Sequence, residues 1–478
     1  MNRNGILTPF WILAIAVMVG LTLPRLIQDG MFMDAMLYTS VANNLSQGIG
    51  TFWFPYFSDY HIAGLPAFHE QPPLFFGIQS LFFRALGHSM YVERFYTFLM
   101  LAITAWLIVI LWKTIFRDDR LARLGWLPLI FWIIMPTAIW SYANNMIENT
   151  MGIFTLASVI LSYRSFQHRG NPLKHWMLSG LFIFLASLCK GIPAFFPVAA
   201  PLLYHLVTGK IGKLRTFWHT VILVAVPMTI YVVLYALPES RESLATYFFK
   251  RALHRIRDVP TVGNRLYTLG HLLQELIPVA AIMLILVFAA GRQKFREAVS
   301  AQGREALFFI CVGLSASVPL MLTLVQKSFY YVPALPFMGI GLAMLTAPVV
   351  ESLLQKINTS GLGFRIFRWF TFLLLIAVVV FTAMQKGKAF RDADLLNDVY
   401  AIGESVPRNS TVSVPQPLVD EWDLQCYLVR YFNINIEVGT KREYFIAEDG
   451  VQPENPEGYK PFGLHTRHHH LLLREERH

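Results

Sequence analysis

Apolar residues fall along this chain in long unbroken runs rather than in single-faced stripes. Eleven runs read as membrane-spanning helices: about 7–24, 92–115, 125–141, 149–163, 176–189, 192–208, 217–236, 271–290, 307–325, 332–348 and 369–385. Crossing the hydrocarbon core takes about 20 mostly apolar residues, so the shorter runs are expected to extend into their flanks. The first run reads as an anchor rather than a cleaved leader, because LTLPRLIQDG follows it in place of a small-residue cleavage site. Two connections are long, 25–91 and 237–270. Within the first, 34–47 and 73–86 read as amphipathic helices expected to lie in the membrane interface. The pattern changes from about residue 389. SVPQPLV, YFNINIEV and YFIA read as short strands, and LVDEWDLQCYLVRYF reads as a helix. The expected fold is a polytopic α-helical membrane domain over 1–388, with about eleven transmembrane helices, followed by a small α/β domain over 389–478. His468–His470 are expected to form a solvated end, since three adjacent imidazoles do not easily face one ion.

Composition sharpens this picture. Hydrophobic residues make up 55% of the 478 positions and charged residues 15%, against about 45–50% and about 25% in soluble proteins. That balance excludes an ordinary cytosolic enzyme and a disordered chain. Three cysteines, Cys189, Cys311 and Cys426, exclude a disulfide scaffold and match no zinc or redox spacing.

The formal charge of +10 reads as topology. With Arg3 inside, the predicted cytoplasmic loops hold 16 Lys/Arg in 65 residues and the outer stretches 10 in 116. That asymmetry has the sense of the positive-inside rule. The basic residues sit in short loops between apolar runs, which argues against a nucleic-acid partner and favours anionic lipid at the inner leaflet. This orientation puts 25–91, 237–270 and the C-terminal segment on the outer face.

Ionisable residues gather at the outer ends of the apolar runs: Asp34, His69 and Glu70, Glu148, Lys190, Lys327 with Tyr330 and Tyr331, and Lys250, Arg251, His254, Arg255 and Arg257. Each has a plainer reading when taken singly. Asp34 suits a helix N-cap, and Glu70 and Glu148 suit solvated turns. Lys190 suits a lysine that snorkels to the interface. Arg251–Arg257 suit a basic helix on headgroups, and Lys327 an interfacial anchor. None of these explains why acids and bases collect on one face. Ionisable groups at bilayer depth are costly and mark function by default. A carboxylate beside a hydroxyl acceptor serves as general base. Lysine, arginine and tyrosine hold a phosphate and stabilise its charge as it leaves. Together they describe sugar transfer from a polyprenyl-phosphate carrier at the outer membrane face.

Several stretches also resemble a known group. Asp34-Ala-Met-Leu-Tyr38 with Val41–Leu45, Glu70-Gln71-Pro72-Pro73-Leu74, Leu86-Gly87, Arg94, Glu148–Met151, Lys190-Gly191 and Lys327–Pro336 resemble, in order, the motifs of the GT-C glycosyltransferases. The nearest branch contains the lipid A aminoarabinose transferase and the protein O-mannosyltransferases. The resemblance implies that Asp34 is the catalytic acid of the first outer loop and that Glu70 and Glu148 are acidic active-site or acceptor positions. It also implies that Lys190, Lys327, Tyr330 and Tyr331 lie near the donor phosphate, with Arg251 and Arg255 in a loop of corresponding placement. The implied reaction is single displacement with inversion, with a polyprenyl-phosphate sugar as donor, a lipid, glycan or protein acceptor, and no required cofactor. The implied location is the bacterial inner membrane. Ala35 stands where the family often has a second acid and Gln71 where the aminoarabinose branch has lysine. The missing acid argues against a metal held by an acidic pair and leaves His69 and Glu70 as the one residual metal option.

Two other classes compete: a lipid or solute transporter and a structural envelope subunit. A transporter favours matched broken repeats and polar residues at mid-membrane. The sequence has no internal repeat, and its polar residues cluster at one face.

Overall fold

The structure, a computed structural model, describes residues 4–59, 62–117, 119–253, 260–454 and 456–475. The chain forms two compact units. The first comprises 1–25, 97–143 and 147–385; the second comprises 26–96, 144–146 and 386–478. The last stretch of the second unit begins at residue 386. However, the C-terminal segment does not stand alone: it shares a unit with the first long connection.

All eleven apolar runs fall mainly on helices. Among the described residues, seven helices are long and apolar enough to cross a membrane: Gly5–Leu26, Tyr91–Ile115, Pro172–Lys190, Lys213–Ala236, Arg292–Leu322, Ser328–Leu354 and Leu362–Ala383. Two bent pairs raise the number to nine. Arg120–Ile133 and Pro136–Tyr142 meet at 88°, and Tyr267–Glu275 and Ile277–Ala290 at 41°. A proline sits in the first turn of each second segment, Pro136 and Pro278, where its missing N–H breaks the ladder.

The two remaining runs fall outside that number by length or apolarity. Ile192–Thr208 is short and begins as a 3-10 turn containing Pro193 and Pro197. Ile147–Phe166 is long enough but carries too many polar groups, and these are buried within the first unit. Ser158 and Ser162 share hydrogen bonds with Ser179 at 2.8 and 3.0 Å, and Ser162 meets His219 Nε2 at 3.3 Å. Hydroxyls of this kind let helices approach closely while satisfying each other. By contrast, Leu362–Ala383 has only Phe364 and Thr371 buried, as suits a lipid-facing helix.

The second unit contains a five-stranded sheet. Its strands are β1 (Thr411–Val414), β2 (Asn435–Val438), β3 (Tyr444–Glu448), β4 (Tyr459–Pro461) and β5 (His469–Arg474), in the order β2-β1-β3-β5-β4. β1 pairs in parallel with β2 and β3, while β5 is antiparallel to β3 and β4. Two expectations are corrected here. His469 is not part of a solvated end; it opens β5 and is buried. Nor does 34–47 lie in an interface. Helix Met33–Ser46 is buried continuously from Ala35 to Leu45 and packs against Leu74–Leu86 and Trp422–Phe432. Its mix of Ala, Ser, Thr and Asn gives it no single apolar face to lay on lipid. Helix Leu74–Leu86 does keep such a face, burying Phe75, Phe76 and Phe83 while exposing Leu81 and Leu86.

A buried charge network fastens the Trp422–Phe432 helix to the first connection. Arg430 donates to Glu93 Oε2 at 2.7 Å and to the carbonyls of His88 and Ser89, both at 3.1 Å. Arg94 holds the other oxygen of Glu93 at 3.1 Å and the Gln28 carbonyl at 2.9 Å. Tyr400 and Tyr431 each donate to Asp29 at 2.6 Å. Removing one member of a buried ion pair leaves an uncompensated charge, at a cost of about 3–5 kcal/mol. Arg430→Ala is expected at the lower end of that range, because Glu93 keeps Arg94. Thermal melting of the purified protein in detergent, compared with the exposed Arg408→Ala, checks this.

Candidate functional site

In the first unit, two of the expected residues form an ion pair. Glu148 lies in the first turn of helix Ile147–Phe166, and Lys190 is the last residue of Pro172–Lys190. These helices pack along each other, and the Lys190 ammonium meets Glu148 Oε1. The glutamate is fully buried and the lysine 6% exposed. Each charge also suits its helix end, the acid at the N-terminus and the base at the C-terminus. The ammonium lies 4.5 Å from the Tyr330 ring centroid and 5.7 Å from that of Phe329, within cation–π range. These rings come from the 3-10 turn Ser328–Ala334. Lys190 is therefore not a snorkelling lysine, and Glu148 is not a solvated turn residue.

The chain must turn sharply just beyond the ammonium. Gly191 has φ +73 and ends the helix. A Cβ there would collide with Tyr247 Oη, whose hydroxyl donates to the Lys190 carbonyl at 3.3 Å. Glycine is thus required twice, for its left-handed backbone and for the close approach. Tyr247 belongs to a π-helical stretch, Thr246–Ala252, that also carries Arg251. π-Turns inside helices recur at functional sites. The second oxygen of Glu148 is buried with no hydrogen-bond partner among the described residues. An unsatisfied buried carboxylate oxygen is costly and offers an acceptor to a hydroxyl of a bound ligand.

The other expected residues divide. Lys327 is exposed at the start of the 328–334 turn. Tyr331 turns away from Lys190: it is fully buried, with its hydroxyl 3.4 Å from Glu275 Oε1. Glu275 also accepts from the Thr137 backbone N–H at 2.9 Å, tying Tyr331 to the Pro136 bend. Tyr331 thus supports the turn that presents Tyr330. Arg255, with His254 and Arg257, lies outside the described residues.

The second unit holds Asp34 and Glu70. Asp34 is half-buried in the first turn of helix Met33–Ser46, whose N-cap is Phe32. It is therefore not the cap itself but an acid placed to favour the helix dipole. Tyr38, one turn on and on the same face, receives a hydrogen bond from Gln71 at 3.5 Å. This brings the Glu70-Gln71 segment to the face that Asp34 begins. Asn43 meets His88 Nδ1 at 2.8 Å, and Asn44 donates to the Phe57 carbonyl at 2.8 Å. The asparagines of the motif hold the connection around this helix. His69 is buried against Phe54. The one metal-capable group of His, Cys, Asp and Glu among the described residues does not include His69 or Glu70.

Sequence reasoning missed Asp423, Tyr247 and Glu275. Asp423 lies in the first turn of Trp422–Phe432. Burial pushes its carboxyl up, and the nearby charges of Asp392, Glu421 and Asp34 add to the effect while Arg391 opposes it. Its Oδ1 is buried with no hydrogen-bond partner among the described residues. Ala35 removed the expected second acid beside Asp34 in sequence; Asp423 supplies one in space. No local pattern marks a partner nearly four hundred residues downstream.

Comparisons with known proteins bear on this arrangement. A family model described as dolichyl-phosphate-mannose-protein mannosyltransferase matches residues 70–235, about a third of the chain. A search of curated proteins finds no match. Among solved structures, ArnT from Cupriavidus metallidurans bound to undecaprenyl phosphate aligns with a TM-score of 0.68 at 12% identity, over 99% of this chain and 98% of that one. The same protein in the apo state aligns with a TM-score of 0.68 at 14% identity, over the same shares. The chain shares the fold of these two structures and is a polytopic helical membrane protein.

The ion pair yields a direct expectation. Lys190→Met alone leaves Glu148 buried and unpaired, at about 3–5 kcal/mol. The double variant Lys190→Met/Glu148→Gln is expected to recover most of that loss. A double-mutant cycle read by thermal melting in detergent checks the coupling.

Proposed function

We propose that this chain is a membrane glycosyltransferase that moves a sugar from a polyprenyl-phosphate donor to a hydroxyl or phosphate acceptor, a lipid A-like lipid or an envelope glycan. The reaction runs on the outer face of the bacterial inner membrane, with the N-terminus cytoplasmic and the active site and the C-terminal domain over 389–478 extracytoplasmic. It is a single displacement with inversion. One observation carries the reading. The mannosyltransferase family model covers the stretch holding Glu70, Glu148 and Lys190, and the last two form a buried ion pair beneath Tyr330. The near full-length likeness to ArnT bound to undecaprenyl phosphate supports a lipid-phosphate donor.

Each residue has a role that follows from its chemistry. Asp34 accepts the proton of the attacking hydroxyl, and Glu70 orients the acceptor. Lys190 carries three N–H donors and stabilises the lipid phosphate as negative charge develops on it. Lys327, Tyr330 and Arg251 serve the same phosphate, with Arg255 assigned to it from the sequence, while Tyr331 holds its turn in place. Glu148 pairs with Lys190 in a buried setting and offers its second oxygen to a donor sugar hydroxyl. These cationic and hydroxyl groups meet the charge demand of the reaction without a metal. The description of the family model favours one second reading, transfer to Ser or Thr of a protein.

The test uses the purified full-length chain with polyprenyl-phosphate sugars and a panel of lipid, glycan and peptide acceptors. Asp34→Asn is expected to lower turnover by about 10²–10⁴-fold while leaving donor binding intact. Lys190→Gln is expected to weaken donor binding itself. Near-normal turnover in Asp34→Asn removes the base role. Failure of every lipid-phosphate sugar to bind overturns the transferase reading, and the acceptor that becomes labelled separates glycan from protein transfer.

A further inference from the structure

The sheet-bearing unit contains a donor set that the transferase reading does not use. Glu421 precedes helix Trp422–Phe432, Glu448 ends β3 and His469 opens β5. One ligand atom from each lies within 4.8 Å of the others. The sheet register explains two of the three positions. Glu448 and His469 are direct cross-strand partners on antiparallel strands, so their side chains leave the same face. His469 is buried, and both glutamates are half-buried.

Behind the imidazole stands a fourth carboxylate. Asp398 accepts the backbone N–H groups of Arg467, His468 and His469 at 2.7, 2.9 and 3.0 Å. Fixed in this way, its Oδ2 faces His469 Nδ1 at 3.3 Å. The other ring nitrogen, Nε2, points toward Glu421 Oε2 at 3.1 Å. A carboxylate on one ring nitrogen with further donors converging on the other is the usual outer-shell arrangement of a metal-binding histidine. The backbone-locked aspartate sets the tautomer and leaves Nε2 as the coordinating atom.

Charge favours a dication here. Asp398, Glu421 and Glu448 surround one imidazole, and a protonated ring offsets only one of the three carboxylates. One nitrogen and two carboxylate oxygens suit a borderline ion such as Zn²⁺ better than Mg²⁺ or Ca²⁺, which prefer all-oxygen sets. We propose that Glu421, Glu448 and His469 bind a divalent transition-metal ion of the Zn²⁺ type, oriented by Asp398, with solvent completing its coordination. The ion clamps β3, β5 and the start of the Trp422–Phe432 helix together, so its binding free energy stabilises this unit. The proposal does not depend on the transferase reading.

The test uses the full-length chain in detergent, treated with chelator, exchanged into metal-free buffer and titrated with ZnCl₂. Bound metal is measured by elemental analysis after gel filtration, and stability by thermal melting. The wild-type chain is expected to retain one equivalent and to melt at a higher temperature with Zn²⁺. Glu448→Gln and His469→Gln are expected to lose that equivalent while melting like wild type in metal-free buffer. Should either fail to fold, Glu421→Gln serves in its place. Asp398→Asn is expected to weaken binding by about 10–100-fold. The double variant His468→Ala/His470→Ala is expected to bind normally.

Three results would overturn the proposal. In the first, wild type retains no more metal than Glu448→Gln, and His469 is then an imidazolium held by carboxylates alone. In the second, binding survives His469→Gln but is lost with His468 and His470, which assigns the metal to surface histidines. In the third, Mg²⁺ at equal concentration displaces Zn²⁺, which removes the nitrogen-bearing donor set.

Discussion

Taking a charged side chain out of water is tolerable only when an opposite charge goes with it. The Glu148–Lys190 pair meets that condition at the junction of two closely packed helices. Much of the surrounding structure serves it. Gly191 turns the chain immediately after the ammonium, Tyr247 occupies the space that glycine leaves, and the 328–334 turn lays Tyr330 and Phe329 beside the cation. The same rule explains why helix Ile147–Phe166 is too polar to look like a span. Its serines are satisfied by neighbouring helices rather than by lipid.

The pattern of apolar runs located the long apolar helices of the first unit, because burial in lipid demands continuous apolar sequence and little else. It could not tell a straight span from a broken one. The bends at Pro136 and Pro278 depend on how each proline is accommodated by its neighbours, and both fall inside runs that read as continuous. It also could not tell lipid from protein as surroundings. Helix Met33–Ser46 read as interfacial, yet it is enclosed by two helices, one from the far end of the chain. The pairing of Glu148 with Lys190 was invisible for a related reason: acid and base were legible as candidates, but their mutual distance is set by packing. Tyr330 and Tyr331 are adjacent in sequence and alike in chemistry, and only their surroundings assign one to the cation and the other to Glu275.

The C-terminal region shows the same limit more strongly. Its Trp422–Phe432 helix and stretches of β1, β2 and β3 were readable from alternation and periodicity, whereas most of SVPQPLV is a 3-10 turn, Gln416–Asp420, and β4, β5 and helix Ala393–Ser405 were not read. Its role as packing partner of the first connection was not, since Arg430, Tyr431 and Asp423 look like ordinary helix residues until Glu93, Asp29 and Asp34 are set beside them. His469 reverses its reading for the same reason. Beside two other histidines it looks like a polar tail, whereas across the sheet from Glu448 it is a buried strand residue.

The buried network around Arg430 also bears on biosynthesis. Residues 26–96 leave the ribosome long before residues 386–475 exist, yet Glu93, Asp29 and the enclosed Met33–Ser46 helix complete their set of partners with that late segment. The opening of this protein must wait through synthesis of the whole membrane bundle before it can close. A premature stop in the last fifth of the reading frame would therefore harm the part of the product that was made first.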